Sequence, residues 1–464
     1  MSLRSFSAAV ALALGAAIAL ASPAAYANGR FPAASQLIVA PTDPTFMVLR
    51  TTYGFLVSHD SGVTWDWVCE TAIGYGSNVE DPPIAITANG SIVAGMQEGL
   101  GVSSNLGCDW HFIGGGLDKQ PIVDVVVRPD APHTVLALAS KQTGTNDAGD
   151  PTYVTQVFQS LDDGVTWNKL GTPIDGSYIV ETLEVAASDP HRLYASGVKG
   201  AGATTVATLF VSTNDGAAWT PRAVPFDPAN DRAPFVSGVD PTNADRVYVR
   251  TSGTTTNALH VSINAGQSFT TPLKLPLILG FAQSSDGATI YAGGPSAGLY
   301  VGDRATMTFA KKSDVAVGCL TRSGSKIFSC SNEKLPPDEF KFILGESDDD
   351  GATFKARLHM NGLRGPFACA ADASESACIA QWPALKNTLG ITDDAGIPIA
   401  DGGVPTGDSG GNADASTNGN SGGSAASCGC GATPADAGGV AGLIGLIVAL
   451  GLVARRGASS TPRR

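Results

Sequence analysis

One phrase, written six times, restricts this chain more than any other feature: Ser, any residue, Asp or Asn, any residue, Gly, two more residues, then Trp or Phe. Its copies are Ser58, Asp60, Gly62 and Trp65; Ser103, Asn105, Gly107 and Trp110; Ser160, Asp162, Gly164 and Trp167; Ser212, Asn214, Gly216 and Trp219; Ser262, Asn264, Gly266 and Phe269; and Ser347, Asp349, Gly351 and Phe354. The chemistry at these offsets is local. A hydroxyl and a carboxylate or amide hydrogen-bond turn amides, Gly accepts positive φ, and the aromatic packs back onto the sheet. The phrase therefore reads as a hairpin fastener. Asp60, Asp162 and Asp349 are expected to satisfy backbone groups rather than to act as catalytic acids or Ca2+ ligands, since one active site does not need six copies. The run Asp348-Asp349-Asp350-Gly351 also lacks the alternate spacing and terminal Glu of an EF-hand loop.

Ser262 and Ser347 are 85 residues apart, whereas the other successive serines are 45 to 57 apart, so the long interval should hide a worn copy. Leu299-Tyr300-Val301-Gly302-Asp303 through Phe309 aligns with Leu259-His260-Val261-Ser262-Ile263 through Phe269 and divides it. Ahead of the phrase stands a second signature, a hairpin around Asp-Pro or a Gly turn, as at Asp189-Pro190, Asp240-Pro241 and Asp286-Gly287. Each unit thus reads strand, turn, strand, loop, strand, fastener, strand. Four short antiparallel strands in about 45 residues match one blade of a propeller. Seven such units run from about Gln36 to Lys355.

The repeated phrase resembles the Asp-box, also called the BNR repeat. That resemblance implies an all-β chain whose body, residues 28–387, is a single β-propeller of about seven four-stranded blades. Gly365 to Trp382 reads as a further strand pair, which leaves eight blades as the alternative. Asp-box propellers include sialidases, xyloglucan hydrolases, sortilin-like receptors and photosystem assembly factors, so the resemblance names no single activity.

The ends of the chain bear on compartment. Residues 1–27 combine Arg4, an apolar run from Ala8 to Leu20 and Ala25-Tyr26-Ala27, the pattern of a secretory signal peptide. Residues 388–427 become rich in Gly, Ser, Asn and Asp and read as a disordered linker. The spelling Gly407-Asp408-Ser409-Gly410-Gly411 within it matches a protease nucleophile motif, but a linker supplies no oxyanion site. Residues 428–464 hold Cys428 and Cys430, an apolar run over 438–454 that would span roughly 25 Å as a helix, and a terminal Arg cluster. This order resembles the MYXO-CTERM sorting signal, which implies an exported protein, held at the cell surface through its C-terminus or released after processing; an ordinary C-terminal membrane anchor is the alternative. Its expected partners are the membrane, through this segment, and the sorting and processing machinery; Cys428 or Cys430 would mark the processing site.

In such a compartment cysteines pair. Cys319 and Cys330 flank a Gly turn symmetrically, and Cys369 and Cys378 flank Ala373-Ser374, so two hairpin disulfides are expected, leaving Cys69 with Cys108. Six cysteines allow fifteen pairings, so spacing alone does not fix the connectivity.

A formal net charge of -13 disfavours nucleic acid as a partner. The histidines, His59, His111, His133, His191, His260 and His359, lack metal-ligand spacing, and no cofactor is expected. A sialidase would need an arginine triad with Tyr and Glu; Arg50, Arg128, Arg246 and Arg250 are the residues that would have to converge, with Tyr153, Tyr178 and Glu181 between the fasteners. A xyloglucanase would need a cleft between two propellers, and the chain has room for one. The reading is a non-catalytic binding protein for an extracellular glycan or protein, with a secreted glycoside hydrolase as the alternative. Gln142 to Thr152 and Lys199 to Thr205 are the candidate contact loops.

Overall fold

A computed structural model describes residues 32–75, 80–333, 342–370 and 373–392. The signal-peptide, sorting and terminal-helix assignments, with Cys428 and Cys430, lie outside the described residues. The body is a seven-bladed β-propeller, each blade a four-stranded sheet of consecutive antiparallel strands. Seven inner strands surround the axis: Ala34–Val39, Ile84–Ile86, Ile122–Val127, Ile179–Ala186, Asp231–Asp240, Gly280–Gln283 and Cys319–Ser323. Apolar side chains from facing sheets fill the space between blades, with Leu37, Ile86, Leu136, Leu193, Val247, Ile290 and Ile327 fully buried. Middle strands such as Met47–Thr51 and Ile92–Met96 bury both faces between neighbouring blades, whereas outer strands such as Asn168–Ile174 are largely exposed.

The fastener joins the third strand of a blade to the outermost one. In blade 1 the Ser58 hydroxyl accepts from the Gly62 N–H at 2.9 Å and donates to Asp60 Oδ1 at 2.8 Å. Asp60 in turn accepts from the Thr64 N–H at 2.8 Å and the Thr64 hydroxyl at 2.6 Å, and Trp65 Nε1 donates to the Gly62 carbonyl. The same Ser-to-Gly bond recurs at Ser103, Ser160, Ser212, Ser262 and Ser347. Gly62 has φ +80, and an added Cβ would press on the Trp65 ring at 3.3 Å. The residue before each Gly is left-handed too, although it is Ser61, Leu106, Asp163, Asp215, Ala265 or Asp350.

Blade 6 carries the worn copy. Gly302 replaces the serine, and the turn hangs on Asp303, which accepts from the Thr306 N–H and hydroxyl. A Cβ at Gly302 would lie 2.6 Å from the Phe309 ring, so the packed aromatic has displaced the hydroxyl.

Two expectations fail. Gly365 to Trp382 is no strand pair: it forms one parallel bridge, Pro366 to Trp67, then a 3-10 turn over Ser374–Cys378 and a helix over Trp382–Leu389 that passes the expected boundary at 387. Pro at the first turn and left-handed Gly390 after its end account for that helix. Consequently Cys369 and Cys378 do not face each other. Cys69 pairs with Cys378 and Cys108 with Cys369, while Cys319–Cys330 forms within its hairpin as expected.

The rewired disulfides explain how the ring closes. No blade mixes strands from the two ends of the propeller; blade 1 is Ala34–Val68 and blade 7 is Cys319–Leu358. At the seam the Thr321 hydroxyl donates to the Leu37 carbonyl at 2.8 Å. The chain after blade 7 then runs along the outer strand of blade 1. The Trp67 N–H donates to the Gly365 carbonyl, the Phe367 N–H donates to the Trp67 carbonyl, and Arg364 pairs with Asp66. Leu363, Leu385 and Leu389 join the blade 1 core, and Trp382 packs on Trp67 with centroids 5.8 Å apart.

Candidate functional site

Four-stranded antiparallel blades place the fasteners and the first hairpin turns on one face, and the second turns and blade-to-blade connections on the other. Inner strands leave one backbone edge unpaired toward the axis, and such edges need partners. Side chains from neighbouring blades supply them. Gln36 bonds both the N–H and the carbonyl of Ile84. Asp124 accepts from the Leu183 N–H at 2.8 Å, Thr182 accepts from the Val236 N–H at 2.9 Å, and Gln283 donates to the Val239 carbonyl at 3.1 Å.

Above this ring of staples the axis widens into a funnel of about 360 Å3 on the fastener face. Ile38, Val39, Ile86, Val126, Val127 and Val185 form much of its wall, with Pro41, Pro44, Pro129, Pro132 and Pro241 about the mouth. Deeper in, the lining turns acidic at Asp124 and Glu184. Burial pushes the Asp124 carboxyl up to about 7, against lowering contributions from the Leu183 and Val125 N–H groups and the Arg50 charge. Glu184 is pushed well above the usual carboxylate range by burial and then by Asp124 itself. Among the described residues neither carboxyl forms an ion pair, and both remain partly accessible along the lumen.

The rim cations are engaged outward. Arg128 pairs with Asp130 and with Asp215 of the next blade, and Arg322 stacks near Tyr291 and bonds its hydroxyl. Arg246 lies 3.7 Å from the fully buried Asp240, which Arg304 also holds. Arg50 and Arg250 sit at the opposite end of their blades, one bonded to Ser35 and the carbonyls of Asp81 and Pro82, the other 4.4 Å over the Phe235 ring. The four arginines considered for an anion clamp are therefore split between two faces.

At the opposite end Glu181 is buried, and burial pushes its carboxyl up to about 7 while Arg250 draws it down. Burial raises the nearby Tyr153, with a smaller push from Glu181; Tyr178 instead carries Lys199 over its ring at 4.6 Å. The hairpin tip over 142–152 is exposed and also projects from this second face, as does the 199–205 connection. The histidines are dispersed: His59 stacks on Phe46, His133 and His191 bond Asp163 and Asp215, and buried His260 falls to about 4 because burial disfavours its charge. Among the described residues no three His, Cys, Asp or Glu side chains group as metal ligands.

The fastener carboxylates behave as backbone acceptors. Hydrogen bonds from Thr353 and Ser347 hold Asp349 far below the usual range, and Asp162 is lowered by Thr166 and Ser160. Asp124 and Glu184 escaped sequence reasoning. The signal that marks them is an acid inside an otherwise apolar strand, as in Ile122-Val123-Asp124-Val125-Val126-Val127.

No protein-family model matches the chain, and no curated protein does. Solved structures with similar folds include an ancestral GH74 enzyme, at 14% identity and a TM-score of 0.46 over 62% of this chain and 39% of that one. The chain thus spans about two fifths of that enzyme's length. A GH74 xyloglucanase from Xanthomonas campestris aligns at 13% identity and 0.34 over 72% and 65% of the two chains. The β-propeller domain of Myceliophteria thermophila Cps50 (Swd1) aligns at 10% identity and 0.40 over 64% and 93%. At such identities and scores these likenesses carry no argument about activity.

Proposed function

We propose that this chain is an exported binding protein, displayed at the cell surface by its C-terminal segment, that receives its ligand in the funnel at the centre of the fastener face. The repeats are read as Asp-boxes, and the terminal region with Cys428 and Cys430 as a MYXO-CTERM-like sorting segment. Three disulfides in the body support an oxidising location. The ligand is a group offered by an extracellular glycan or protein. The observation that carries the reading is the funnel itself: a concave, largely apolar site with a few polar groups at depth, within the size range of small-ligand pockets.

Ala187 lines the funnel and is partly exposed, so Ala187→Trp narrows it without disturbing a packed core. Wild-type and variant proteins would be compared on a glycan array and against immobilised surface proteins. Binding by the wild type that the variant loses, at unchanged melting temperature, supports the funnel. Binding that survives Ala187→Trp but is lost when the 142–152 hairpin is shortened moves the site to the second face.

A further inference from the structure

We propose that the funnel recognises a primary ammonium group carried on a short apolar stem. This deepens the binding reading above and rests on it. The argument begins with an imbalance. Ionised carboxyls taken out of water need a partner cation or a dense set of hydrogen bonds. Asp124 meets part of that need through the Leu183 and Val125 N–H groups, and the Val185 N–H steadies Glu184. No cation completes either of them among the described residues: Arg50 acts on Asp124 from below while bonded to Ser35, Asp81 and Pro82, and Arg128 and Arg322 are held at the rim. Two carboxyls therefore face an accessible lumen with an unmet demand for positive charge.

The walls set the rest of the ligand. Val127 lies at the mouth and Asp124 three residues deeper on the same strand, a drop of about 10 Å, whereas Glu184 is one residue below Val185, about 3 Å. Between mouth and floor the lining is mainly Val and Ile, interrupted by Thr321 and Gln283, whose polar groups bond neighbouring backbone carbonyls. A methylene stem matches such walls, and its ammonium head would meet Glu184 first and Asp124 beyond it. A guanidinium fits less well, because its planar fork has five donors to satisfy. The same chemistry occurs in a free alkylamine and in a lysine side chain. Entry of the cation stabilises both carboxylates, so protons held at neutral pH leave as it binds.

The test is calorimetric titration of the full chain with n-pentylammonium, n-pentanol, pentanoate and Nα-acetyl-lysine methylamide, repeated in buffers of different ionisation heat. The expected result is pentylammonium binding at least ten-fold tighter than pentanol, with a buffer-dependent heat from proton release and no pentanoate binding. Glu184→Gln should bring pentylammonium down to the level of pentanol while pentanol is unchanged, and Ala187→Trp should abolish both. Binding of the lysine derivative would identify a peptide side chain as an acceptable source; its absence beside pentylammonium binding would point to free amines. Equal binding of pentanol and pentylammonium overturns the ammonium assignment and leaves the funnel reading standing. Failure of every probe overturns both. Pentylammonium binding that Ala187→Trp and Glu184→Gln leave intact, and that 0.5 M salt removes, marks the diffuse field of an acidic surface and overturns the proposal.

Discussion

Removing the two disulfides that tie the C-terminal segment to blades 1 and 2 should destabilise the propeller in two unequal steps. The bonds are nested: Cys69–Cys378 spans 309 residues and Cys108–Cys369 spans 261, a difference of 48. While one remains, losing the other frees an effective loop of only those 48 residues, which in the chain-entropy description costs about 4 kcal/mol. Losing the second then frees the long loop of some 260 residues and costs about 5–6 kcal/mol more. Both values are upper limits, because residual structure in the unfolded chain already restricts part of the freed loop. The Cys319–Cys330 bond provides the comparison, since it closes 11 residues within one hairpin and is worth at most about 3 kcal/mol.

Paired Cys→Ser variants for each bond, and the fourfold variant lacking both long ones, would be unfolded in urea with tryptophan fluorescence as the readout. Trp67 and Trp382 lie in the clasp and report on its release directly. The fourfold variant should lose more than twice what the hairpin variant loses, with the second step at least as large as the first. If the fourfold variant is no less stable than the hairpin variant, the long disulfides do not close the ring and the clasp account is wrong.

Stability should also fall as pH rises from about 4 to 7. Asp124 and Glu181 are pushed up to about 7, and burial also raises Glu184 well above the usual carboxylate range, so the unfolded chain releases these protons first. A raised folded-state pKa gives stability that is complete below the unfolded value and lost through the folded one, at most about 4 kcal/mol for a shift of three units. Water reaching Asp124 and Glu184 along the lumen reduces that figure. Glu184→Gln should flatten the slope, and a urea midpoint that climbs between pH 5 and 7 in the wild type would contradict the assignment. The fastener carboxylates work oppositely: Asp162 and Asp349 are held low, so their contribution disappears only as pH falls below about 4. Ser160→Ala strands the buried Gly164 N–H and should cost about 1–3 kcal/mol, measured by thermal unfolding. Gly302→Ser, though it restores the repeated phrase in blade 6, should destabilise because the new Cβ meets Phe309; a gain in melting temperature would refute that.

The fold was legible because its instructions are short-range. Ser58, Asp60, Gly62 and Trp65 complete their bonds within eight residues, so spacing alone exposed the blade and its repetition. The left-handed residue ahead of each Gly was not legible, since Ser61, Leu106 and Ala265 share no side-chain property. Disulfide partners were misread for a related reason. Cys369 and Cys378 are close in sequence, but a 3-10 turn over Ser374–Cys378 stands where a hairpin strand would be, and the true partners lie hundreds of residues away. The site was least legible. Asp124 looks like a single flaw in an apolar strand, and Glu184 shares its strand with Glu181 and Thr182, until seven strands are gathered around one axis.

Closure and site are connected by the same geometry. In a ring whose blades are all made of consecutive strands, blade 7 meets blade 1 through side-chain packing and, among the described residues, the Thr321–Leu37 hydrogen bond. Closing it from inside would place extra chain in the lumen. Here the closing segment stays on the outer rim, pairing with the last strand of blade 1 and reaching the fastener of blade 2, where Ser374 bonds the Trp110 N–H and the Cys108 carbonyl. The axis is left for side chains of the inner strands alone. A funnel with carboxyls at depth can exist because the load of closure is carried elsewhere by covalent bonds. Reduction should therefore loosen the rim first, and a ligand seated in the funnel, touching several blades at once, should oppose that opening by mass action.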